Sequence, residues 1–474
     1  MTSRKLYALF GLLATLLGMA VGHLVASLMK PDSSPVLAVG SAIIALTPQP
    51  VASWAIAQFG NADKPILIGS VFAGVLALAA VAGLLTRRRF AFGAGLVVAL
   101  VTVAGIAVAT RPGFEAFDIV PALLTAAAGV GSLWWMHRAA QGLPLDPRAT
   151  ADAADGADGE DSAAAAGPAG GAHRSHGSSA SRRTVLITTG IVAGAALVLG
   201  SAGRFIGNVR ARAENIALPS PAPGEAAPAL PTGLEAEFPE ITPLQVSRAD
   251  FYRVDTRLDV PVVDSEGWTL TVDGDVENEL TITFDELLEM PMVERDITLT
   301  CVSNSVGGKF VGGARWLGVP LKDILDRAGV GSKADQILST DFDGMTISTP
   351  LELATDGREA LIVVGMNGEP LPREHGFPVR MVIPGLYGFI SATKWLTKLT
   401  LTTYAEQEAY WTEKGWGTIT PIKPSTRIDT PRVLTTVGGD DLLIGGVAWA
   451  QNDGGVKTVQ VQVDGGRWQD AEIG

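Results

Sequence analysis

Apolar residues follow two different patterns along this 474-residue chain. Up to about residue 206 they form long unbroken runs, and beyond about residue 246 they alternate with polar residues in short stretches. Crossing a bilayer as a helix takes about 20 mostly apolar residues. Four early runs reach that length, Leu6–Met29, Pro65–Leu85, Phe90–Ala109 and Phe117–Met136, and a fifth, Val185–Ile206, comes later. The stretch VLAVGSAIIALTPQPVASWAIAQFG (Val36–Gly60) is also apolar, but Pro48 and Pro50 interrupt it. It is read as a lid or interfacial segment, with two short spans as the alternative.

Basic residues are retained in cytoplasmic loops and so orient the bundle. Arg4 and Lys5 precede the first run, Arg87, Arg88 and Arg89 join the second to the third, and Arg138, Arg148, Arg174, Arg182 and Arg183 lie between the fourth and the fifth. With five spans and the N-terminus inside, all three groups fall on the cytoplasmic face of a plasma membrane. Everything after residue 206 is then extracytoplasmic. Residues 142–181 are Ala, Gly, Asp and Ser without apolar periodicity, a composition that builds no core, and are read as a disordered cytoplasmic linker. That linker ends in SRRTVLI (Ser181–Ile187). Arg182 and Arg183 are open to two readings, as positive-inside anchors or as part of a twin-arginine export signal.

The second half reads as α+β. A Pro/Ala stretch, Leu218–Gly233, precedes it and is expected to be extended and stiff. WTLTVDGDV and LTITF alternate with period two, as do runs at Gln336–Ser339, Met345–Ser348, Leu361–Val364, Val379–Ile383 and Leu396–Thr402. FDELLEM, acidic in its first turn, and VPLKDILDRAGV, stopped by glycine, predict short helices. From Pro424 onward, LLIGGVAWA and VKTVQVQVDGG around QNDGG give the pattern of a β-sandwich module, with about half of the roughly 100 residues such a module needs. The chain is therefore expected to stop inside that module.

Composition narrows the chemistry. The formal charge is −13 with no dense basic patch, which excludes nucleic acid as a partner. A single cysteine, Cys301, rules out an internal disulfide and a thiol cluster for zinc or iron–sulfur binding. Paired-histidine haem is not expected either, because His23 and His137 fall at opposite faces of the bundle. Charged residues are nearly absent inside the spans, so an ion path or a transporter is disfavoured and an anchor is preferred.

Cys301 stands where the alternating run ERDITLT gives way to the glycine-rich VSNSVGG. Farther on, MNGEPLPREHGFPVRMVIPGLYGFISATKWL (Met366–Leu396) gathers His375, Arg380 and Lys394 among turn-forming residues. Such a group suits an anion such as phosphate, with surface ion pairs as the bland alternative. A thiolate is a soft ligand for a transition metal. One thiolate beside an anion pocket points to a metal carried largely by an organic cofactor.

LTCVSNSVGG, ARWLGVPLKDIL and MNGEPLPREHGFPVRMVIPG…KWL together resemble the sulfite oxidase family of molybdopterin-dependent oxidoreductases, over roughly Asp250–Gly474. The resemblance implies an oxo-molybdenum centre held by one molybdopterin and by the thiolate of Cys301. It implies His375 and Arg380 at the pterin and its phosphate, and Ser391, Ala392, Thr393 and Lys394 as a second contacting stretch. It also implies Tyr252, Arg253 and Asp255 in a first contacting loop, with Arg253 doubling as a catalytic anion contact. Asp343 is a further contact, for which Asp341 is the alternative. The expected activity is two-electron oxo transfer with a small oxo donor or acceptor, followed by one-electron steps.

Two departures bear on the substrate. Sulfite oxidases follow the cysteine with Gly-Asn-Arg-Arg, where this chain has Ser303, Asn304, Ser305 and Val306, and Trp416 replaces a tyrosine five residues after Trp411. Sulfur oxyanions and sulfoxides thus both remain as substrate classes, and a non-catalytic cofactor-binding or docking protein is the alternative reading. No cytochrome b5-like haem segment precedes the domain in this sequence, so electrons are expected to pass to a separate protein or to a quinone-type membrane carrier. The family's immunoglobulin-like module, which Thr426–Gly474 resembles, implies a homodimer. The expected divisions are 1–138 for four spans, 139–181 for the linker and 182–206 for the fifth span. Residues 207–245 form the Pro/Ala linker, 246–424 the molybdopterin domain and 425–474 the partial immunoglobulin-like module.

Overall fold

The computed structural model describes residues 3–48, 51, 54, 58–59, 63–111, 114–143, 182–210, 216–258, 260–438 and 442–474. The linker read as disordered lies, from residue 144 on, outside the described residues. The chain divides into two units, Met1–Arg212 with Thr256–Asp259, and Ala213–Asp255 with Val260–Gly474.

The first unit is helical: α1 (Arg4–Leu28), α2 (Pro35–Leu46), α3 (Asp63–Arg88), α4 (Phe90–Ala109), α5 (Val120–Gln141) and α6 (Arg182–Arg210). Five stretches within it are long and apolar enough to cross a membrane, Arg4–Leu28, Ile66–Arg88, Phe90–Ala109, Ala116–Gln141 and Arg182–Gly203. These coincide with the five runs read from the sequence. Helix α1 packs against α3, α5 and α6. Its crossing with α3 brings backbones into contact, since a Cβ on Gly11 would lie 1.9 Å from Ala79 O and one on Gly83 1.9 Å from Tyr7 O. Hydrocarbon offers no hydrophobic drive between helices, so small residues that permit such approach set the packing. Thr86 and Thr125 return their hydroxyls to Ala82 O and Pro121 O, at 2.9 and 2.8 Å. Their hydroxyl donors are thus satisfied within the helix. At 1.5 Å per residue α2 covers about 18 Å, short of the roughly 30 Å hydrocarbon core, as an interfacial segment would.

The second unit is built on two sheets. One has the order β2-β1-β10-β5-β6, from β1 (Thr269–Gly274), β2 (Leu280–Thr283), β5 (Gln336–Asp341), β6 (Thr346–Pro350) and β10 (Leu396–Thr402). In it β1 and β10 are parallel and the other pairs antiparallel. The other sheet has the order β3-β4-β7-β8, with β9 on β7, from β3 (Val293–Thr300), β4 (Val311–Pro320), β7 (Leu361–Met366), β8 (Glu369–Pro370) and β9 (Arg380–Val382). Every residue of β7 is buried. Alternation therefore feeds two cores: Ile362 and Val364 pack with Leu317, Val319, Met381 and the first sheet's Leu270, Leu399 and Leu401, whereas Leu361 and Val363 pack with Ile297, Leu299, Trp316, Val382 and Phe251. Helices α7 (Phe284–Glu289) and α8 (Leu321–Ala328) form where the sequence predicts them, α7 capped by Thr283 and α8 stopped at left-handed Gly329. A short α9 (Leu351–Thr355) follows β6.

The Pro/Ala stretch is not a free tether. Ala222 N–H donates to Met292 O at 2.8 Å and Glu294 N–H to Glu225 O at 2.9 Å, so it lies along the open edge of β3. Composition gives its extension, while the unpaired edge of β3 gives it a place to go. After Pro424 the described residues form two small antiparallel pairs, β11 (Ser425–Thr430) with β12 (Gly445–Trp449) and β13 (Gln460–Val461) with β14 (Gln469–Asp470). VKTVQVQVDGG thus yields two strand residues where its alternation suggests a long strand. Ile428, Val463 and Trp468 are exposed, and an alternating strand without a covering layer has little to hold it.

Candidate active site

Strand parity places the site. Ile297 and Leu299 point into the core under Trp316, so Cys301, two residues on, emerges on the same face of the sheet. Val382 points into that core as well, so Arg380 shares its face, and the Arg380 guanidinium lies 5.0 Å over the Trp316 ring. Phe251 closes the layer edge-on to Trp316 at 5.8 Å and to His375 at 5.3 Å, and stacks on Tyr252 at 5.2 Å. The β3 end, the β9 start and the loops around 252 and 375 therefore meet above one apolar floor.

The polar groups form a connected set. Arg253 grips Asp255 through Nε at 2.7 Å and Nη2 at 3.2 Å, and Lys394 Nζ donates to the same carboxylate at 2.6 Å. Lys394 Nζ also reaches Glu374 O at 3.1 Å and lies 4.7 Å from the Trp395 ring. Burial pulls the Lys394 ammonium down to about 8 against the opposing pull of Asp255. His375 Nε2 pairs with Arg248 O at 3.0 Å, which makes that nitrogen the donor, and burial first and then the Arg380 and Lys394 charges lower the imidazole to about 4. Burial likewise lowers Arg380 to about 10. The Tyr252 phenol is raised, by burial and by the Cys301 sulfur, and is pulled back by Arg380. Burial raises the Cys301 thiol too, opposed by the Ser303 N–H, 3.4 Å from Sγ.

Molybdopterin fits this donor set. Arg380 Nη1 donates to His375 O at 2.9 Å, but its Nε is buried without a partner among the described residues. Arg253 and Lys394 both pair with the carboxylate of Asp255, and the Arg380 charge lies near Lys394. An anionic group would supply an acceptor for the Arg380 Nε. Cys301 offers a soft sulfur donor beside it. No group of three or more His, Cys, Asp or Glu side chains that could hold a metal occurs among the described residues.

Cys301, Tyr252, Arg253, Asp255, His375, Arg380 and Lys394 are thus brought together. Ser391 and Thr393 are adjacent, but their hydroxyls serve the scaffold: Ser391 Oγ donates to Leu386 O at 3.0 Å, and Thr393 Oγ1 meets Ser339 Oγ at 2.5 Å. Ala392 packs against the apolar floor. Asp343 sits in the β5–β6 turn, where the Asp341 carboxylate accepts its N–H at 2.9 Å and that of Met345 at 2.9 Å. The sequence reading quoted Trp316 only as part of a motif, although its parity with Ala314 marks it as floor. Val306, in place of the family's arginine, is fully exposed. Trp416 packs on Trp411 at 4.7 Å and on Phe389 at 5.0 Å.

Comparison with known proteins points to the same cofactor. The family described as oxidoreductase molybdopterin binding domain matches residues 257–411. Mitochondrial sulfite oxidase of Rattus norvegicus is 31% identical over 258 residues, 46% of this chain and 47% of the relative. That of Drosophila melanogaster is 31% identical over 272 residues, 47% and 46% of the two chains. NADH nitrate reductase of Solanum lycopersicum is 35% identical over 179 residues, 32% of this chain and 19% of the relative. Among solved structures, sulfane dehydrogenase SoxCD from Paracoccus pantotrophus aligns over 49% of this chain and 66% of its own, with a TM-score of 0.44 and 23% identity. The chain spans about half the length of the sulfite oxidases it matches. Residues 257–411 of the second unit thus match the molybdopterin-binding domain of oxidoreductases, and the unit is similar in sequence to sulfite oxidases.

Proposed function

We propose that the second unit is an extracytoplasmic molybdenum oxidoreductase that moves an oxo group to or from a small sulfur oxyanion or sulfoxide, and that the five apolar helices anchor it in the plasma membrane. The carrying observation is the meeting of the chain's single thiol with the buried, partly unpartnered guanidinium of Arg380 over one apolar floor. Cys301 would ligate the metal, while Arg380, Lys394 and His375 would hold the pterin and its phosphate. When bound, the cofactor supplies the two-electron redox change and the Lewis acidity that oxo transfer needs. Asp255 fixes Arg253 and Lys394 in place. The His375 imidazole, held neutral by its burial, donates a hydrogen bond without adding charge. Tyr252 presents its phenol, protonated at any physiological pH, beside Cys301. The orientation rests on Arg4, Lys5, Arg87, Arg88, Arg89, Arg138, Arg182 and Arg183 flanking the apolar helices on one side.

Metal and pterin analysis of the full chain made with ample molybdate should give about one of each per chain, as one ligand thiol per domain implies. Cys301→Ser should keep the pterin and lose molybdenum and turnover. Full molybdenum in that variant would sink the ligand assignment. Stopped-flow oxidation or reduction against sulfite, nitrate and a panel of sulfoxides identifies the substrate. Failure of every one to change the molybdenum spectrum would favour the non-catalytic docking reading, which the exposed Val306 in place of a cation motivates.

A further inference from the structure

The loop that begins at Cys301 is braced from outside the residues that match the family. At its neck Cys301 N–H donates to Phe310 O and Phe310 N–H to Asn304 Oδ1, both at 2.9 Å. Its crown bonds to itself, Gly308 N–H to Ser305 O at 2.7 Å, and is open to solvent around Val306. Arg427, on β11, reaches that crown: Nη1 donates to Gly308 O at 2.9 Å. Its other donors are engaged as well, Nη2 with Thr242 Oγ1 at 2.7 Å and Nε with Asp429 Oδ1 at 2.6 Å, while Asp429 Oδ2 accepts the Thr242 N–H at 3.0 Å. Arg427 and Asp429 are two residues apart on a strand and so share a face, and each side chain is only 10% exposed.

Thr242 opens a second arm of the site. The chain runs from it past the Val246 N–H, which bonds Gly313 O at 2.9 Å, and on to the loop carrying Tyr252, Arg253 and Asp255. Arg427 is therefore a cross-brace between the Cys301 loop and the irregular segment leading to the Tyr252 loop. A lysine cannot replace it, because one ammonium lacks the planar fork that meets Gly308, Thr242 and Asp429 at once.

We infer that Arg427 is a positioning residue for the Cys301 thiol, acting through Gly308 and Thr242 to keep the 301–310 loop closed. Its link to molybdenum rests on the ligand reading of Cys301, whereas the closure belongs to the chain with or without cofactor. A ligand must be held to a fraction of an ångström, and a loop with a solvent-open crown does not hold itself so closely.

Cys301 is the only cysteine, so alkylation of the full-length, cofactor-free protein reports on one thiol. Iodoacetamide should react slowly with the wild type. Arg427→Ala should raise the rate by about ten- to a hundredfold, the effect on local opening of losing a charge-assisted hydrogen bond. Arg427→Lys should restore it only in part. Arg315 makes a matched control, bonding Asp296 and Pro228 O in the same fashion, and Arg315→Ala should keep the wild-type rate. In the loaded protein Arg427→Ala should alter the Mo(V) paramagnetic resonance signal while molybdenum content holds. A wild-type alkylation rate together with a wild-type signal overturns the inference, whatever happens to thermal stability. So does an equal acceleration in Arg315→Ala, which would mean general loosening. If Arg427→Ala fails to accumulate, Asp429→Asn carries the comparison, with an intermediate rate expected and the wild-type rate overturning it. Undiminished molybdenum in Cys301→Ser would remove the ligand reading without touching the alkylation result, so the two failures are distinguishable.

Discussion

Replacing Arg380 by methionine should separate stability from cofactor retention. In the cofactor-free protein the guanidinium is buried, and burial lowers its pKa from the ordinary arginine value to about 10. At about 1.4 kcal/mol per pH unit, that fall is roughly 3 kcal/mol of cost for keeping the charge indoors. Against it stand the bond to His375 O, worth about 1.5–3 kcal/mol, and the Trp316 contact, worth about 0.5–2 kcal/mol. These nearly cancel, so Arg380→Met should change the stability of the empty domain by no more than about 2 kcal/mol, or roughly 6 °C in midpoint. Removing one member of a buried charge pair costs about 2–5 kcal/mol, so pterin affinity should fall by about two to three orders of magnitude. Scanning calorimetry of the full chain in detergent measures the first, and pterin fluorescence per chain after gel filtration the second. A loss above about 4 kcal/mol with full pterin content would refute the reasoning, because Arg380 would then be a structural cation.

Acid should weaken the second unit through His375. Its folded pKa of about 4 lies below the ordinary 6.5, so below pH 6.5 the unfolded chain takes up a proton that the folded one refuses. Stability is lost as pH falls from about 6.5 to about 4 and levels off beneath, for roughly 3 kcal/mol in all, and His375→Gln should flatten that part of the midpoint–pH curve. Parallel curves for the two proteins would count against it. Gly313→Ala places a methyl 2.4 Å from Leu244 O, a backbone atom that cannot swing aside, and should cost about 1–3 kcal/mol, lowering the midpoint by several degrees. An unchanged midpoint would show that segment 242–246 is free to shift.

Much of this was legible in the sequence, for definite reasons. Strand β10 was read to the residue, because Leu396–Thr402 alternates cleanly. The face of Cys301 follows from Ile297 and Leu299 by parity alone. What escaped was long-range: Arg427 bonds Gly308, 119 residues away, and Thr242, 185 away, and no local pattern announces either partner. The Arg-x-Asp spacing on a strand was the available signal. The hydroxyls of Ser391 and Thr393 looked as free as any in the motif until Leu386 O and Ser339 claimed them. Proline content gave the extension of residues 218–233 but not its resting place.

That resting place has a consequence for solubility. Strand β3, which leads into Cys301, is the outermost of its sheet, and a bare edge invites pairing with another molecule. The segment laid along it contains Pro219, Pro221, Pro223 and Pro228, none of which has an N–H to offer. It consumes the edge of β3 and presents a poor edge of its own, so the sheet stops there. A protease cut between Pro221 and Pro228 would leave the core residues in place yet turn a self-terminating sheet into one that polymerises. The damage would surface first as aggregation, ahead of any loss of cofactor.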